Sequence, residues 1–231
     1  MDLEKRGFLS GNMLKVVAAI SMTIDHIGMQ MFPNVDIFRV IGRIAFPIFA
    51  YMLAEGCKYT KNRGKHLGLL VVIAIICQAV FTYITGSYYQ SILVTFSLSV
   101  CMIYSMEYAL SKQTVLSSTL PVLVMACVFV LTDVLPIVFK DTDYAIDYGF
   151  VGVMVPVLIY MGRDRMQKLM HTAIGLTILS LISGGFQWVC LMALPLLALY
   201  NGKRGKLKMK YFFYIYYPAH LVAIFLISSF I

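Results

Sequence analysis

Four ionisable residues near the start of the chain lie within stretches that are otherwise apolar: Asp25, His26, Arg39 and Arg43. An imidazole with the ordinary histidine pKa of about 6.5 can take a proton from an attacking amine or hydroxyl. Guanidinium groups can stabilise negative charge that develops on a carbonyl oxygen, or orient an acceptor. We therefore predict that these four residues are catalytic, with His26 as the general base.

The alternative for the same residues is an ion-pair cluster that only fixes the packing of helices. Asp25 is expected to pair with Arg43, because each charge is costly when left alone in an apolar medium. Arg39 and Arg43 are four residues apart, so they share one face of a helix and repel unless an anionic group intervenes. His26 points about 100° away from Asp25, which directs it toward a cavity.

A further histidine, His220, lies near the middle of the last apolar stretch. It follows Pro218, which has no N–H and therefore frees a backbone carbonyl in the helix. We add His220 to the predicted catalytic residues, and a buried packing role is the alternative.

The elements that carry these residues are membrane helices. The 231-residue chain is 60% hydrophobic and 13% charged, which lies outside soluble composition. About 20 apolar residues cross a bilayer, and the apolar runs predict nine helices, at residues 13–32, 37–56, 67–85, 91–110, 115–139, 144–162, 169–183, 186–200 and 212–231. The predicted fold is an all-α polytopic bundle forming one integral membrane domain over residues 1–231. This leaves no room for a Rossmann domain, a P-loop ATPase or a nucleic-acid module.

The seventh and eighth predicted helices are short, and only Gly184 and Gly185 separate them. They form either a tight hairpin or one broken, re-entrant pair.

Basic residues alternate between the predicted loops, which indicates the orientation of the chain. Only Lys140 lies in the opposite loops; the predicted cytoplasmic side has Lys5, Arg6, Lys15, Lys58, Lys61, Arg63, Lys65, Lys112, Arg163, Arg165, Lys168, Lys203, Arg204, Lys206, Lys208 and Lys210. The N-terminus is therefore expected in the cytoplasm and the C-terminus outside.

The net charge of +8 reflects this topology, so no nucleic-acid partner is expected. The dispersed histidines and cysteines predict neither a metal site nor a disulfide.

Several segments resemble the TraX family. They are LKVVA at 14–18, MTIDHIG at 22–28 and RVIGRIAFPIF at 39–49, followed by Glu55 with Gly56, the TFS segment at 95–97 and YPAHL at 217–221. The similarity spans nearly the whole chain and is most specific in the first 65 residues and the last 20. It implies a multi-pass acetyltransferase of the bacterial cytoplasmic membrane, a family best known for acetylating the amino terminus of pilin. TraX proteins are also distantly similar to wider membrane acyltransferases, which use a histidine of the first helix and neighbouring arginines.

The resemblance implies acetyl-CoA as the acyl donor. Its phosphates would meet basic residues at the cytoplasmic edge, since arginine offers a bidentate fork and lysine a point charge; the candidates are Lys58, Lys61, Arg63, Lys65, Arg163 and Arg165. The expected acceptor is a pilin or other peptide amine, an envelope sugar or a lipid head group. Two other classes stay open, namely a small-solute or proton-coupled transporter and a non-catalytic assembly protein of a pilus or secretion system.

Overall fold

The computed structural model describes residues 7–206, 209 and 212–230. Within these ranges the secondary structure is helical and there is no β-strand, only two isolated β-bridges. The predicted all-α class is thus confirmed. Some residues used in the predictions lie outside the described residues, namely Lys5, Arg6, Lys208, Lys210 and Ile231.

The described α-helices follow one another along the chain with short connections. They are α1 (Gly11–Met31), α2 (Asp36–Gly42), α3 (Ala45–Tyr59), α4 (Arg63–Thr85), α5 (Ile92–Lys112), α6 (Val115–Phe129), α7 (Leu135–Val138), α8 (Gly149–Met161), α9 (Arg165–Ser183), α10 (Ala193–Ala198) and α11 (Phe212–Ser228). A π-helical turn, Val130–Val134, joins α6 to α7, and a 3₁₀ helix, Gly185–Met192, leads into α10.

Four helical stretches among the described residues are long and apolar enough to cross a membrane: Asp36–Tyr59, Arg63–Thr85, Ile92–Lys112 and Val115–Val138. Only 17% of the apolar window of the second and 11% of that of the fourth is buried, so most of their apolar surface needs an apolar surrounding. Shorter apolar helices cover Gly149–Met161, Gly185–Ala198 and Ile215–Ser228. The total of nine spans and the sidedness of the termini remain predictions.

The second predicted helix is broken. It consists of α2, which ends at Gly42, and α3, which begins at Ala45. Pro47 has no N–H to donate to the carbonyl of Arg43, four residues earlier, and so weakens the helix at this point. Arg43 lies at this two-residue interruption between α2 and α3.

The eighth predicted helix, at 186–200, is also interrupted. Gly184 and Gly185 both have positive φ angles, 65° and 50°, a conformation that favours glycine. After them the chain continues as the 3₁₀ helix Gly185–Met192 and the short α10. The chain thus turns sharply after α9, and the choice between a tight hairpin and one broken, re-entrant pair stays a prediction.

The chain forms two compact units, Met1–Met52 with Asp164–Ile231 and Leu53–Arg163. In the first unit, the residues before α1 are tied to the segment after α10, since Leu9 N donates to Leu199 O (3.0 Å) and Asn201 N donates to Leu9 O (2.9 Å). The side chain of Ser10 caps α1 by accepting from Met13 N. The prediction of a single membrane domain stays a prediction.

In the second unit, two connecting segments pair with each other. Gln90 N donates to Ala145 O (2.7 Å) and Asp147 N donates to Gln90 O (3.0 Å). The exposed carboxylate of Asp143 accepts from Ser87 Oγ (2.5 Å) and from Tyr88 N (2.8 Å). These hydrogen bonds lower the pKa of Asp143 below its ordinary value, because they stabilise the charged form.

Candidate functional site

Two histidines from opposite ends of the chain meet in the first unit. The Nδ1 atom of His26, in α1, lies 2.8 Å from Nε2 of His220, in α11. Their rings are stacked, with centroids 5.0 Å apart. His220 is buried and His26 is half-buried. The sequence predicted each histidine as a candidate but not their contact.

The neighbours of His220 determine where the protons of the neutral pair lie. Its Nδ1 is 3.0 Å from the backbone oxygen of Tyr216. Because a carbonyl oxygen only accepts, this nitrogen carries the hydrogen, and Nε2 of neutral His220 is an acceptor. His26 therefore donates from Nδ1 to His220, which leaves the lone pair of neutral His26 on its Nε2. The arrangement fixes the tautomer of His26 and gives it one basic nitrogen.

Tyr216 and Thr23 hold the two histidine-bearing helices together. Tyr216 Oη lies 2.6 Å from Thr23 Oγ1. Since the Thr23 hydroxyl donates its one hydrogen to Ala19 O (2.9 Å), the phenol of Tyr216 is the donor in this contact. The Tyr216 ring also stacks on His220, with centroids 5.2 Å apart. One tyrosine thus fastens α11 to α1 and orients the buried imidazole.

The expected ion pair between Asp25 and Arg43 is wrong. Asp25 Oδ2 instead pairs with Arg39 Nη1, at 3.0 Å. The reason lies at Gly42, where an added Cβ would come within 2.2 Å of Asp25 Oδ1. Asp25 therefore packs directly on Gly42, and Arg39, three residues earlier in α2, lies on that same face.

Arg43, which directly follows α2, makes a different contact. Its Nη1 donates to Oε1 of Gln187, at 3.2 Å. Gln187 is 5% exposed and lies in the 3₁₀ helix Gly185–Met192. The two arginines expected to share a helix face thus point to different partners. Sequence reasoning missed Gln187, although it is the one amide in the predicted helix 186–200.

The charges of the cluster formed by Asp25, His26, Arg39 and Arg43 do not cancel. Asp25 neutralises Arg39, and no carboxylate among the described side chains forms an ion pair with Arg43. The cluster therefore combines a basic nitrogen with an excess positive charge, which suits a reaction that forms a negative oxygen as a proton is removed.

The predicted donor-binding residues Lys58, Lys61, Arg63 and Lys65 are all exposed, around the connection between α3 and α4. Arg63 already has a partner, because its Nε lies 2.8 Å from Glu107 Oε2. Its guanidinium also lies 5.9 Å from the centre of the Tyr104 ring. The Glu107 pair competes with any phosphate for Arg63.

The other two predicted donor-binding residues lie at the start of α9. Arg163 is exposed, whereas Arg165 is half-buried and donates to the backbone oxygen of Ala198. Arg165 belongs to the same unit as the histidine pair, and Arg163 belongs to the other unit. Within the described ranges, no three histidine, cysteine or acidic side chains lie together as metal ligands would.

Comparison with known proteins agrees with the sequence resemblance. The family model described as TraX protein matches residues 10–228. A "probable fimbrial assembly protein FimC" of Dichelobacter nodosus is 25% identical over 230 residues, covering 90% of this chain and 91% of that protein. An uncharacterized protein of Rickettsia prowazekii (strain Madrid E) is 34% identical over 94 residues, which are 40% of this chain and 36% of that longer relative. No solved structure matches the chain.

Proposed function

The chain belongs to the TraX family, and we propose that it is an integral membrane acyltransferase that moves an acetyl group from acetyl-CoA to an amine or hydroxyl. The observation that carries the proposal is the hydrogen-bonded chain from His26 through His220 to Tyr216 O. It supplies an oriented base, and a purely structural ion-pair cluster would not need one.

The reaction begins when Nε2 of His26 removes a proton from the acceptor. The acceptor nitrogen or oxygen then forms a bond to the thioester carbonyl carbon, whose oxygen becomes negative. When this tetrahedral intermediate collapses, the carbon–sulfur bond breaks and the coenzyme A sulfur takes the proton from His26. The products are the acetylated acceptor and the free thiol, so no oxidant or further reactant is needed.

His220 and Arg43 lower the barrier in different ways. His220 accepts a hydrogen bond from His26 Nδ1, which stabilises the imidazolium that forms after proton removal. The guanidinium of Arg43 stabilises the oxyanion that forms at the same stage. Arg39, paired with Asp25, positions α2 against α1 and does not act on the substrate.

The donor's phosphates bind basic residues at the cytoplasmic edge in this proposal. Lys58, Lys61 and Lys65 are the strongest candidates because they are exposed and free of the Glu107 contact made by Arg63. Arg163 contributes a bidentate contact. Arg165 is a weaker candidate because it donates to the backbone of Ala198.

The acceptor is inferred from the relative named as a probable fimbrial assembly protein, which covers most of the chain. We propose a protein subunit of a surface fibre as the acceptor, modified at its amino terminus. The enzyme would be a multi-pass protein of the cytoplasmic membrane, with the His26 site nearer the outer face.

The test is an acyl-transfer assay with the full chain in lipid nanodiscs. The purified protein is incubated with labelled acetyl-CoA and a peptide bearing a free amino terminus, and both thiol release and peptide labelling are measured. Transfer by the wild type and its loss in His26→Ala are expected. Transfer that persists in His26→Ala would remove this residue from the mechanism.

The same preparation separates the two other functional classes. Solute uptake into proteoliposomes without thiol release would indicate a transporter. Neither transfer to peptide, sugar and lipid acceptors nor uptake would indicate an assembly protein without catalytic activity. Labelling of a sugar or lipid alone would keep the enzyme and replace the proposed acceptor.

A further inference from the structure

We infer that Gln187 is a second oxyanion donor, which acts beside Arg43 on the carbonyl oxygen of the acyl donor. The inference rests on the proposed acyltransfer and names a residue that carries no charge and belongs to no recognised motif of the sequence. It is argued from the orientation of one buried amide.

The contact with Arg43 fixes which way the amide of Gln187 points. A guanidinium has only donors, so the atom of Gln187 that lies 3.2 Å from Arg43 Nη1 must be the carbonyl oxygen, Oε1. The amide nitrogen, Nε2, is then the atom that is left to meet a ligand. The contact with Arg43, itself a proposed part of the site, therefore sets the orientation of the two N–H groups.

This nitrogen is buried, and no oxygen or nitrogen acceptor among the described residues forms a hydrogen bond with it. Gln187 as a whole is 5% exposed, and the polar neighbour left for the amide is the thiol of Cys190, a weak acceptor that interacts with the Gln187 side chain. Buried polar groups are nearly always satisfied, and an unsatisfied one is unfavourable. The Cys190 thiol can take at most one of the two N–H groups, so at least one donor of this amide is left for a ligand oxygen.

The backbone around Gln187 holds the amide in place. Gln187 N donates to Gly184 O (3.1 Å), and Ser180 Oγ donates to Gln187 O (3.2 Å). Gly184 and Gly185 allow the sharp change of direction after α9 because both adopt positive φ. The donor is therefore pre-organised, as a group that stabilises developing charge should be.

The two donors serve one oxygen in different ways. Arg43 contributes a full positive charge, while the amide contributes a directed dipole that adds no charge to an already cationic cluster. Because Gln187 also accepts from Arg43, it keeps the guanidinium from turning toward Asp25. The thioester oxygen binds weakly to this pair, and the negative oxygen of the tetrahedral intermediate binds strongly, so the effect falls on kcat more than on KM.

The experiment compares Gln187→Glu with Gln187→Met in the full chain in nanodiscs. Glutamate keeps the shape and an acceptor for Arg43 but replaces the two N–H donors and adds a negative charge beside Arg43, whereas methionine removes donors and acceptor without adding charge. Each variant is expected to lower kcat for acetyl transfer about 10²- to 10³-fold, with a change in KM for acetyl-CoA of less than about threefold. Unfolding in detergent is measured in parallel, and a variant that retains the wild-type midpoint makes the kcat value decisive.

A kcat within threefold of the wild type in either folded variant would overturn the role of Gln187 while leaving the acyltransferase intact. A raised KM at constant kcat would do so as well, because it indicates ordinary substrate binding. If the wild type itself releases no thiol with peptide, sugar or lipid acceptors, the acyltransferase proposal fails and this inference fails with it.

Discussion

His26 Nδ1 lies 2.8 Å from His220 Nε2, although 194 residues separate them in the chain. The two residues come from the parts of the sequence that most resemble the TraX family, its start and its end. Through this contact the helix at the end of the chain, α11, orients a histidine of the first helix, α1. His220 is thus a positioning residue in the proposed reaction, and His26 is the residue that meets the acceptor.

Replacing His220 by phenylalanine should lower kcat while leaving the fold intact. The ring shape is retained, but His26 Nδ1 loses its acceptor and the tautomer with a basic Nε2 is no longer fixed. We expect a loss of about 10- to 100-fold, as for other residues that orient a functional histidine, and a larger loss of about 10²- to 10⁴-fold for His26→Ala. Initial rates of thiol release measure both.

A matched control for this substitution is His66→Phe. His66 Nδ1 also makes a 2.7 Å hydrogen bond, to Tyr104 Oη, but in the other compact unit. Its removal should leave kcat within a few fold. Equal losses in the two variants would mean that the His26–His220 contact has no special role.

The two arginines should separate into a structural and a catalytic one. Arg39→Met leaves Asp25 without its ion-pair partner and should destabilise the protein by roughly 1–3 kcal/mol, between the ranges for exposed and buried pairs. Arg43→Met leaves that pair intact, so the protein should stay folded while kcat falls about 10²- to 10³-fold. Unfolding midpoints in detergent and initial rates distinguish these effects. If Arg43→Met instead lost stability and Arg39→Met lost only kcat, Arg43 would be the partner of Asp25.

Much of this site could be predicted from the sequence. Charged residues are rare in apolar segments, so the sequence singles out Asp25, His26, Arg39 and Arg43 as candidates. The hydropathy pattern also places them on helices. Their pairing could not be predicted, because it depends on the break before α3 and on the packing of Asp25 against Gly42. Both follow from residues without charge, whose effects appear only when two helices are in contact.

Gln187 shows the same limit more sharply. A glutamine at the start of the predicted helix 186–200 is uncharged and can be solvated at a helix end, so it carries no distinct signal in the sequence. Only the fold shows that this one is buried, that it accepts from Arg43 and that no oxygen or nitrogen among the described residues accepts from its nitrogen. Residues that act through orientation are therefore harder to find than residues that act through charge.

Gly42→Ala tests the close packing of α1 on α2. The new Cβ would lie 2.2 Å from Asp25 Oδ1 and 2.3 Å from Asp25 Cβ, so α1 and α2 must move apart. We expect a loss of about 1–3 kcal/mol in unfolding free energy, as in other overpacked sites, together with reduced transfer. Gly68→Ala in α4 is the control, since nothing lies within 4 Å of its added Cβ, and it should be neutral or slightly stabilising. An unaffected Gly42→Ala protein would contradict this packing.

Asp143 should make the local stability of its segment depend on pH. Its pKa is lowered in the folded state by hydrogen bonds from the Ser87 hydroxyl and the Tyr88 amide. A carboxyl whose pKa is lowered by folding stabilises the fold fully above its ordinary pKa and loses this effect as the pH falls through the lowered value. Hydrogen exchange at the Tyr88 amide should therefore be more protected in the wild type than in Asp143→Asn at pH 7, and the difference should vanish in acid. Equal protection at pH 7 would show that the carboxylate does not hold this segment.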